Sequence, residues 1–403
     1  MKKENKKILR LVIVLMILSI LLTLGLFLLF QGDSPEKKQE AEQSSASDQT
    51  AGSDSVNLQP EETADTPQRR IATIVAAMSL EEKVGQLFFT RCPETEALQS
   101  IAEYHLGGYI LFARDFKEKS PQQVIDEIEA YQQEAEIPLL IGVDEEGGTV
   151  NRISLYSQFR AVPFWSPRDL YQKGGLDLIR QDTKEKCDLL TSLGINVNLA
   201  PVCDVSTDRE SYMYARTFGG DGEETAGYVA TVVKVMKENN VGSVLKHFPG
   251  YGNNKDTHSE IVYDDRDYES FAASDFLPFE AGIQSGADAV LVSHNIVKSM
   301  DPDRPASLSK KVHNILRETL NFDGVIMTDD LYMDAIQKYT GKQEAAVQAV
   351  LAGNDVLCCT DFDVQIPAVI KAVREGLIGE SVIDRAVERV LLWKYDLGIW
   401  KPE

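Results

Sequence analysis

Two hydrophobic rhythms alternate along most of the chain. Short apolar runs rich in branched side chains are each followed by a longer stretch with apolar residues every three or four positions. These are the periods of a buried strand and of an amphipathic helix. The runs are VGQLFF from Val84, GGYILF from Gly107, PLLIGV from Pro138, INVNLAPV from Ile195, GSVLKH from Gly242, ADAVLVSH from Ala287, GVIMT from Gly324 and NDVLCC from Asn354. SPQQVIDEIEAYQQEA, EETAGYVATVVKVMKENN and SLSKKVHNILRETL carry the helical period between them, with Ser120 and Ser307 as N-caps for two of these helices. Strand followed by helix, repeated in this way, predicts a parallel sheet. A closed (β/α)8 barrel needs about 250 residues or more, and residues 69–403 accommodate one as a single catalytic domain. An open doubly wound sheet is the alternative, but no Gly-rich phosphate loop follows the first strand.

The N-terminal part breaks this rhythm. Residues 1–10 are basic (Lys2, Lys3, Lys6, Lys7, Arg10), and residues 11–30 contain no charge. At 1.5 Å per residue such a helix is about 30 Å long, the thickness of a bilayer's hydrocarbon core. The basic flank predicts a cytoplasmic N-terminus and an extracytoplasmic remainder, a single-pass cell-membrane protein. A cleavable signal peptide is the competing reading, and Gln31-Gly32-Asp33 is a poor cleavage site for it. Residues 31–68 are acidic and almost devoid of large apolar side chains, which predicts a flexible linker.

Charge and cysteines narrow the classes further. The 403 residues hold 63 acidic against 41 basic side chains, a net charge of −22. Such a balance argues against nucleic-acid partners, which require a basic face. The five cysteines, Cys92, Cys187, Cys203, Cys358 and Cys359, show neither C-x-x-C nor zinc spacing. They read as small buried hydrophobes.

Polar residues gather where the apolar runs end: Asp144, Asp204, Lys246, His247, His294, Asp329 and Asp330. In a barrel, strand C-termini ring the active-site face. Any one such residue is satisfied by structural roles often enough; their recurrence on several strands points to a site. GVDEEGGTVNR (142–152), KHFPGYGNNKDTHSE (246–260) and GVIMTDDLYMDAI (324–336) carry the most chemistry. Asp329, at a strand end, is placed to act as a nucleophile. Asp256 and His258 stand two apart, so the carboxylate can hold the imidazole, which gives and takes protons near neutrality. A lone Asp-Thr-His would be read as a surface turn. Without G-x-S-x-G a serine hydrolase is disfavoured. A carboxylate opposite a proton donor is the equipment of a retaining glycosidase. The chemical rival is a metal-dependent hydrolase using Asp256, His258, His294 and Asp329, weakened by the lack of H-x-H after the first strand.

From Met78 to at least Met333 these segments resemble glycoside hydrolase family 3, in particular its bacterial β-N-acetylhexosaminidases. The pattern is D-x-E-G-G-x-V-x-R, K-H-F-P-G-x-G with D-[ST]-H beyond it, and [ST]-D-D-L-x-M. The resemblance implies that Asp329 is the nucleophile and His258 the general acid/base, with Asp256 its partner. It also implies that Asp144, Arg152, Arg216, Lys246 and His247 bind sugar hydroxyls, and that no metal or organic cofactor is needed. Departures from the pattern are Tyr251 for a frequent histidine, Thr149 and Glu145 for Arg and Gln, and a slightly shorter loop before Asp256. The expected activity is hydrolysis of terminal β-linked N-acetylglucosamine from cell-wall-derived or related oligosaccharides. A phosphorylase or β-glucosidase of the same family is the enzymatic alternative. A membrane-tethered glycan-binding protein is the non-enzymatic one.

Overall fold

The computed structural model describes residues 66–254, 261–340 and 344–402. The expected basic segment and anchor (1–10, 11–30), most of the expected linker, and both Asp256 and His258 lie outside them. Among the described residues no helix is long and apolar enough to cross a membrane.

Eight strands run parallel: β1 Phe88–Arg91, β2 Gly108–Leu111, β3 Leu140–Val143, β4 Val197–Asn198, β5 Gly242–Phe248, β6 Ala289–Val292, β7 Val325–Thr328 and β8 Leu357–Cys359. Each pairs with its sequence neighbour, β1 pairs with β8 on its other side, and an isolated parallel bridge from Met327 to Val356 joins the remaining ends. The result is the eight-stranded parallel α/β barrel that the two rhythms predict. Helices Ala97–Tyr104, Pro121–Glu134, Pro167–Ser192, Gly222–Glu238, Phe276–Gln284, Ala345–Ala352 and Phe362–Arg374 follow strands in turn.

Two local expectations are corrected. The first apolar run begins in helix Leu80–Gln86 instead of a strand, because Ser79 and Glu82 close a capping box ahead of it. Ser307 caps nothing: it sits buried in a 3₁₀ turn, and Ser309 accepts from Val312 N to start the next helix. Ser120 does cap its helix, accepting from Gln123 N.

Successive residues of a strand face opposite sides, and here that parity sorts the core. Phe89, Ile110, Leu140, Val197, Val244, Ala289, Val325 and Val356 form one cluster inside the barrel, while Phe88, Tyr109, Ile141, Leu245, Val290, Ile326 and Leu357 pack outward against the helices. Burial of each Val, Leu, Ile or Phe side chain among them stabilises the fold by roughly 1.5–3 kcal/mol. Gly142 leaves room in the interior, since a Cβ there would meet the Phe89 ring at 2.4 Å. The C-terminal helix Glu380–Asp396 sends Val390 and Trp393 into the inner cluster and covers the end where the strands begin.

That helix also carries a fully buried lysine. Lys394 donates to Gln86 Oε1 at 2.7 Å, and burial pulls its pKa down to about 7. An unfolded lysine titrates near 10.4, so between these values the unfolded chain holds a proton that the folded chain lacks. Stability from this group therefore rises with pH across that window, by up to ~1.4 kcal/mol per pH unit. Lys394→Met is expected to be the more stable protein at pH 7, with the wild type closing the gap as pH approaches 10. Urea midpoints at pH 7, 8 and 9 test this; parallel pH profiles for the two proteins would refute it.

Candidate active site

The parity that fills the barrel also aims its upper residues. Continuing the inner positions by two carries Phe89 to Arg91, Ile110 to Phe112, Val244 to Lys246, Met327 to Asp329, and Leu140 through Gly142 to Asp144. All five residues so reached line one cleft of about 510 Å³. The loop after β3 adds Thr149 and Arg152, and the loop after β4 adds Tyr212 and Arg216. Strict alternation would send His247 outward with Leu245. The pairing of β5 with β6 shifts register between Lys246 and Phe248, and both Lys246 and His247 reach the cleft.

Behind the cleft wall, charges are matched in a row. Lys246 Nζ lies 2.6 Å from Asp144 Oδ1 and 2.7 Å from Glu146 Oε1. Glu146 also takes a two-point contact from Arg216, 2.7 Å from Nη2 and 3.0 Å from Nε. Burial opposes all three charges, but proximity outweighs it. Lys246 and Arg216 hold the Glu146 carboxyl well below the usual range, Asp144 and Glu146 raise Lys246, and Glu146 chiefly raises Arg216. Arg152 reaches the other oxygen of Asp144 at 3.9 Å.

His247 continues the row. Its Nε2 faces Arg216 Nη2 at 3.4 Å and its Nδ1 faces Asp204 Oδ2 at 2.7 Å. A guanidinium only donates, so Nε2 is the acceptor and the Nδ1 proton is given to Asp204, an assignment made from the network. Asp204 is fully buried and also receives His247 N at 3.2 Å and Tyr251 N at 2.7 Å.

The loop after β3 has its own frame. Glu145, buried, accepts from Arg152 N and Ile153 N, both at 2.8 Å, and thereby holds Arg152 at the cleft. Gly147 takes φ +99°, and a Cβ on it would lie 2.2 Å from the Trp165 carbonyl, so only glycine turns the chain there. Opposite, Asp329 Oδ1 accepts from Asp330 N at 2.8 Å. Asp330 is tied to Thr360 Oγ1 (2.6 Å) and Tyr332 N (2.9 Å), and burial raises its pKa.

Six of the residues expected at the site therefore line one cleft: Asp144, Arg152, Arg216, Lys246, His247 and Asp329. Asp256 and His258 fall outside the described residues. His294 does not face the cleft; it is fully buried, with Nδ1 at 2.7 Å from Ser307 Oγ and Nε2 at 3.1 Å from the Asp330 carbonyl. Both ring nitrogens are thus occupied, which removes it from the rival metal set. Among the described residues no group of three or more His, Cys, Asp or Glu is arranged to hold a metal ion. Glu146 was not singled out in the sequence, although two cations at strand tops and loops call for a counter-charge. Arg91, Phe112 and Tyr212 were also missed. For Arg91 and Phe112 strand parity was the available signal; Tyr212 sits in an irregular loop and had none.

The profile of the glycosyl hydrolase family 3 N-terminal domain matches residues 79–392. A beta-hexosaminidase of Nitrosomonas eutropha is 32% identical over 280 residues, covering 68% of this chain and 79% of its own. Beta-hexosaminidase LpqI of Mycobacterium tuberculosis is 31% identical over 336 residues, covering 80% and 84%. Among solved structures, a family 3 beta-N-acetylglucosaminidase from Paenibacillus sp. superposes with a TM-score of 0.74 at 32% identity, covering 80% of this chain. This chain spans 63% of that Paenibacillus chain.

Proposed function

The chain belongs to glycosyl hydrolase family 3, and on that premise we propose that it is a retaining β-N-acetylhexosaminidase. Its substrate class is oligosaccharides ending in β-linked N-acetylglucosamine, including those derived from cell walls. The observation that carries the reading is the convergence of Asp144, Arg152, Arg216, Lys246, His247 and Asp329 on one cleft at the strand C-termini, with relatives named beta-hexosaminidase over most of the chain.

The steps follow from the groups present. Asp329 attacks the anomeric carbon and forms a glycosyl ester as the glycosidic bond breaks. His258, oriented by Asp256, gives its proton to the departing oxygen. The same imidazole then takes a proton from the water that hydrolyses the ester, so two displacements retain the β configuration. Lys246, Asp144, Arg216, Arg152 and His247 meet the sugar hydroxyls. The charged donors Lys246 and Arg216 do so from positions already desolvated and paired, where little reorganisation is required. No metal or organic cofactor enters these steps. Residues 11–30 act as a membrane anchor and 31–68 as a tether, which puts the catalytic domain outside the cell membrane.

A single preparation tests this. Membranes from cells expressing the full chain should release N-acetylglucosamine from an aryl β-N-acetylglucosaminide, with the β anomer as first product by NMR. Deleting residues 1–30 should move that activity to the soluble fraction. Sugar 1-phosphate as the main product in phosphate buffer would make the protein a phosphorylase, and faster turnover of the aryl glucoside would make it a β-glucosidase. A first-formed α anomer would refute retention.

A further inference from the structure

The chain that leaves β5 departs through Pro249 and Gly250, and one guanidinium gathers it. Arg266 Nη2 donates to the Gly250 carbonyl at 2.9 Å and to Asp264 Oδ2 at 2.7 Å, while Nε reaches Asp264 Oδ1 at 3.1 Å. Its Nη1 lies 3.0 Å from both oxygens of Asp275. The guanidinium also rests on the Phe271 ring, 4.1 Å from the centroid. Asp264 and Asp275 are buried. Asp264 has a second guest, Asn254 Nδ2 at 2.6 Å. Asn254 and Asp264 flank residues 255–260 in sequence, so described chain from both sides of that stretch meets on a single carboxylate.

The backbone is shaped to this arrangement. Gly250 has φ +119°, and a Cβ there would lie 2.4 Å from Asp275 Oδ1; Gly252 has φ +54°, and a Cβ there would lie 2.7 Å from the Arg266 guanidinium. Carboxylate and guanidinium thus press on bare backbone, at dihedrals that glycine tolerates. Asp264 is seated in turn by a short parallel pairing of Tyr263–Asp264 with Ile296–Val297, just beyond β6. On the cleft side, Tyr251 N is held at 2.7 Å by Asp204, the same carboxylate that orients His247. The stem is therefore registered to the sugar-facing histidine at one end and to Arg266 at the other.

We propose that Arg266 is a positioning residue for leaving-group protonation: by binding the Gly250 carbonyl, Asp264 and Asp275 together, it sets where the described chain on either side of residues 255–260, the stretch that includes His258, stands relative to the cleft. This rests on the proposed acid role of His258. Among the described residues Arg266 is not part of the cleft lining, and its hydrogen bonds go to Gly250, Asp264 and Asp275, so its effect belongs to proton transfer and not to sugar affinity. Its fork geometry matters, because a lysine keeps the charge but cannot serve three acceptors in fixed directions.

The test uses aryl β-N-acetylglucosaminides with good (2,4-dinitrophenyl) and poor (phenyl) leaving groups, for Arg266→Lys, Asn254→Ala and His258→Ala. A general acid contributes on the order of 10²–10⁴-fold where protonation is needed. Arg266→Lys is expected to lose ~30-fold or more in kcat on the phenyl substrate and less than ~3-fold on the dinitrophenyl one, with inhibition by N-acetylglucosamine unchanged. Asn254→Ala uncouples the two ends without stranding a buried charge, so it folds even where Arg266→Lys does not, and it should show a smaller loss of the same kind. Equal losses on both substrates, or a loss appearing in N-acetylglucosamine affinity, overturn the proposal. A steep leaving-group dependence in His258→Ala beside a flat one in both clamp variants sinks the clamp alone. A flat His258→Ala series beside a steep Arg266→Lys series sinks the His258 assignment and leaves the clamp acting on a different acid.

Discussion

On the proposed mechanism, Asp329→Asn is expected to abolish turnover of an aryl β-N-acetylglucosaminide, lowering kcat by a factor on the order of 10⁴ or more, the scale on which removing a reacting group from a concerted set acts. Three observations support this expectation. Val325 and Met327 face the barrel interior, so Asp329 continues that face at a strand end and opens into the cleft. Its Oδ1 is held by Asp330 N at 2.8 Å, which limits the rotation an attacking carboxylate can waste. Its neighbour Asp330 is tied down by Thr360 and Tyr332, which fits the proposed division of the pair into a reacting member and a structural one. Asparagine keeps the shape and most of the hydrogen bonding, but its carboxamide oxygen cannot form the ester intermediate. Folding should be unaffected, with a Tm close to that of the wild type. Activity of Asp329→Asn within tenfold of wild type would remove Asp329 from the mechanism.

Glu146→Ala is expected to destabilise the protein by about 3–5 kcal/mol, the usual cost of deleting one partner from a buried charge network. The side chain lies between Lys246 and Arg216 and is nearly inaccessible. Its loss leaves two cations sharing Asp144, whose carboxylate reaches only Lys246 closely. Glu146→Gln separates stability from function. The amide oxygen still accepts from one cation, but its NH₂ group opposes the other and the negative charge is gone. Both cations reach the cleft, so kcat/KM should fall roughly 10²–10³-fold, since misplacing a charged contact costs a few kcal/mol of transition-state binding. Lys246 would also ionise less readily, because Glu146 helps raise its pKa against burial. The alkaline limb of the pH profile should therefore move to lower pH. A Glu146→Gln enzyme within threefold of wild type, with an unmoved alkaline limb, would show that Glu146 serves packing only.

Much of the barrel was legible because its signals are local. An apolar run and the helical period after it lie within some thirty residues, and parity along a strand settles which side chains face inward. The corrections came where two local signals competed. VGQLFF is apolar enough for a strand, but the Ser79–Glu82 box just ahead of it commits Leu80–Gln86 to a helix. Ser307 precedes a helical period, but His294 claims its hydroxyl, and Ser309 is left to cap. Motif likeness reaches further into the site than periodicity does, since it groups Asp144, Arg152, Arg216, Lys246, His247 and Asp329, which line one cleft.

By itself, then, the amino-acid sequence determined the alternation of strand and helix, the family, and the residue types at the strand ends. Tertiary structure alone decided which of those residues pair. Lys246 meets Asp144 across 102 positions of chain, Arg216 meets Glu146 across 70, and His247 meets Asp204 across 43. No spacing rule reaches that far, because these distances are set by barrel closure and by the register shift in β5. That closure turns Glu146 from one acid among many into the counter-charge of two cations, and seals His294 away from the cleft. Charge pairing depends on separation in space and on burial, and both exist only once the strands have closed on one another.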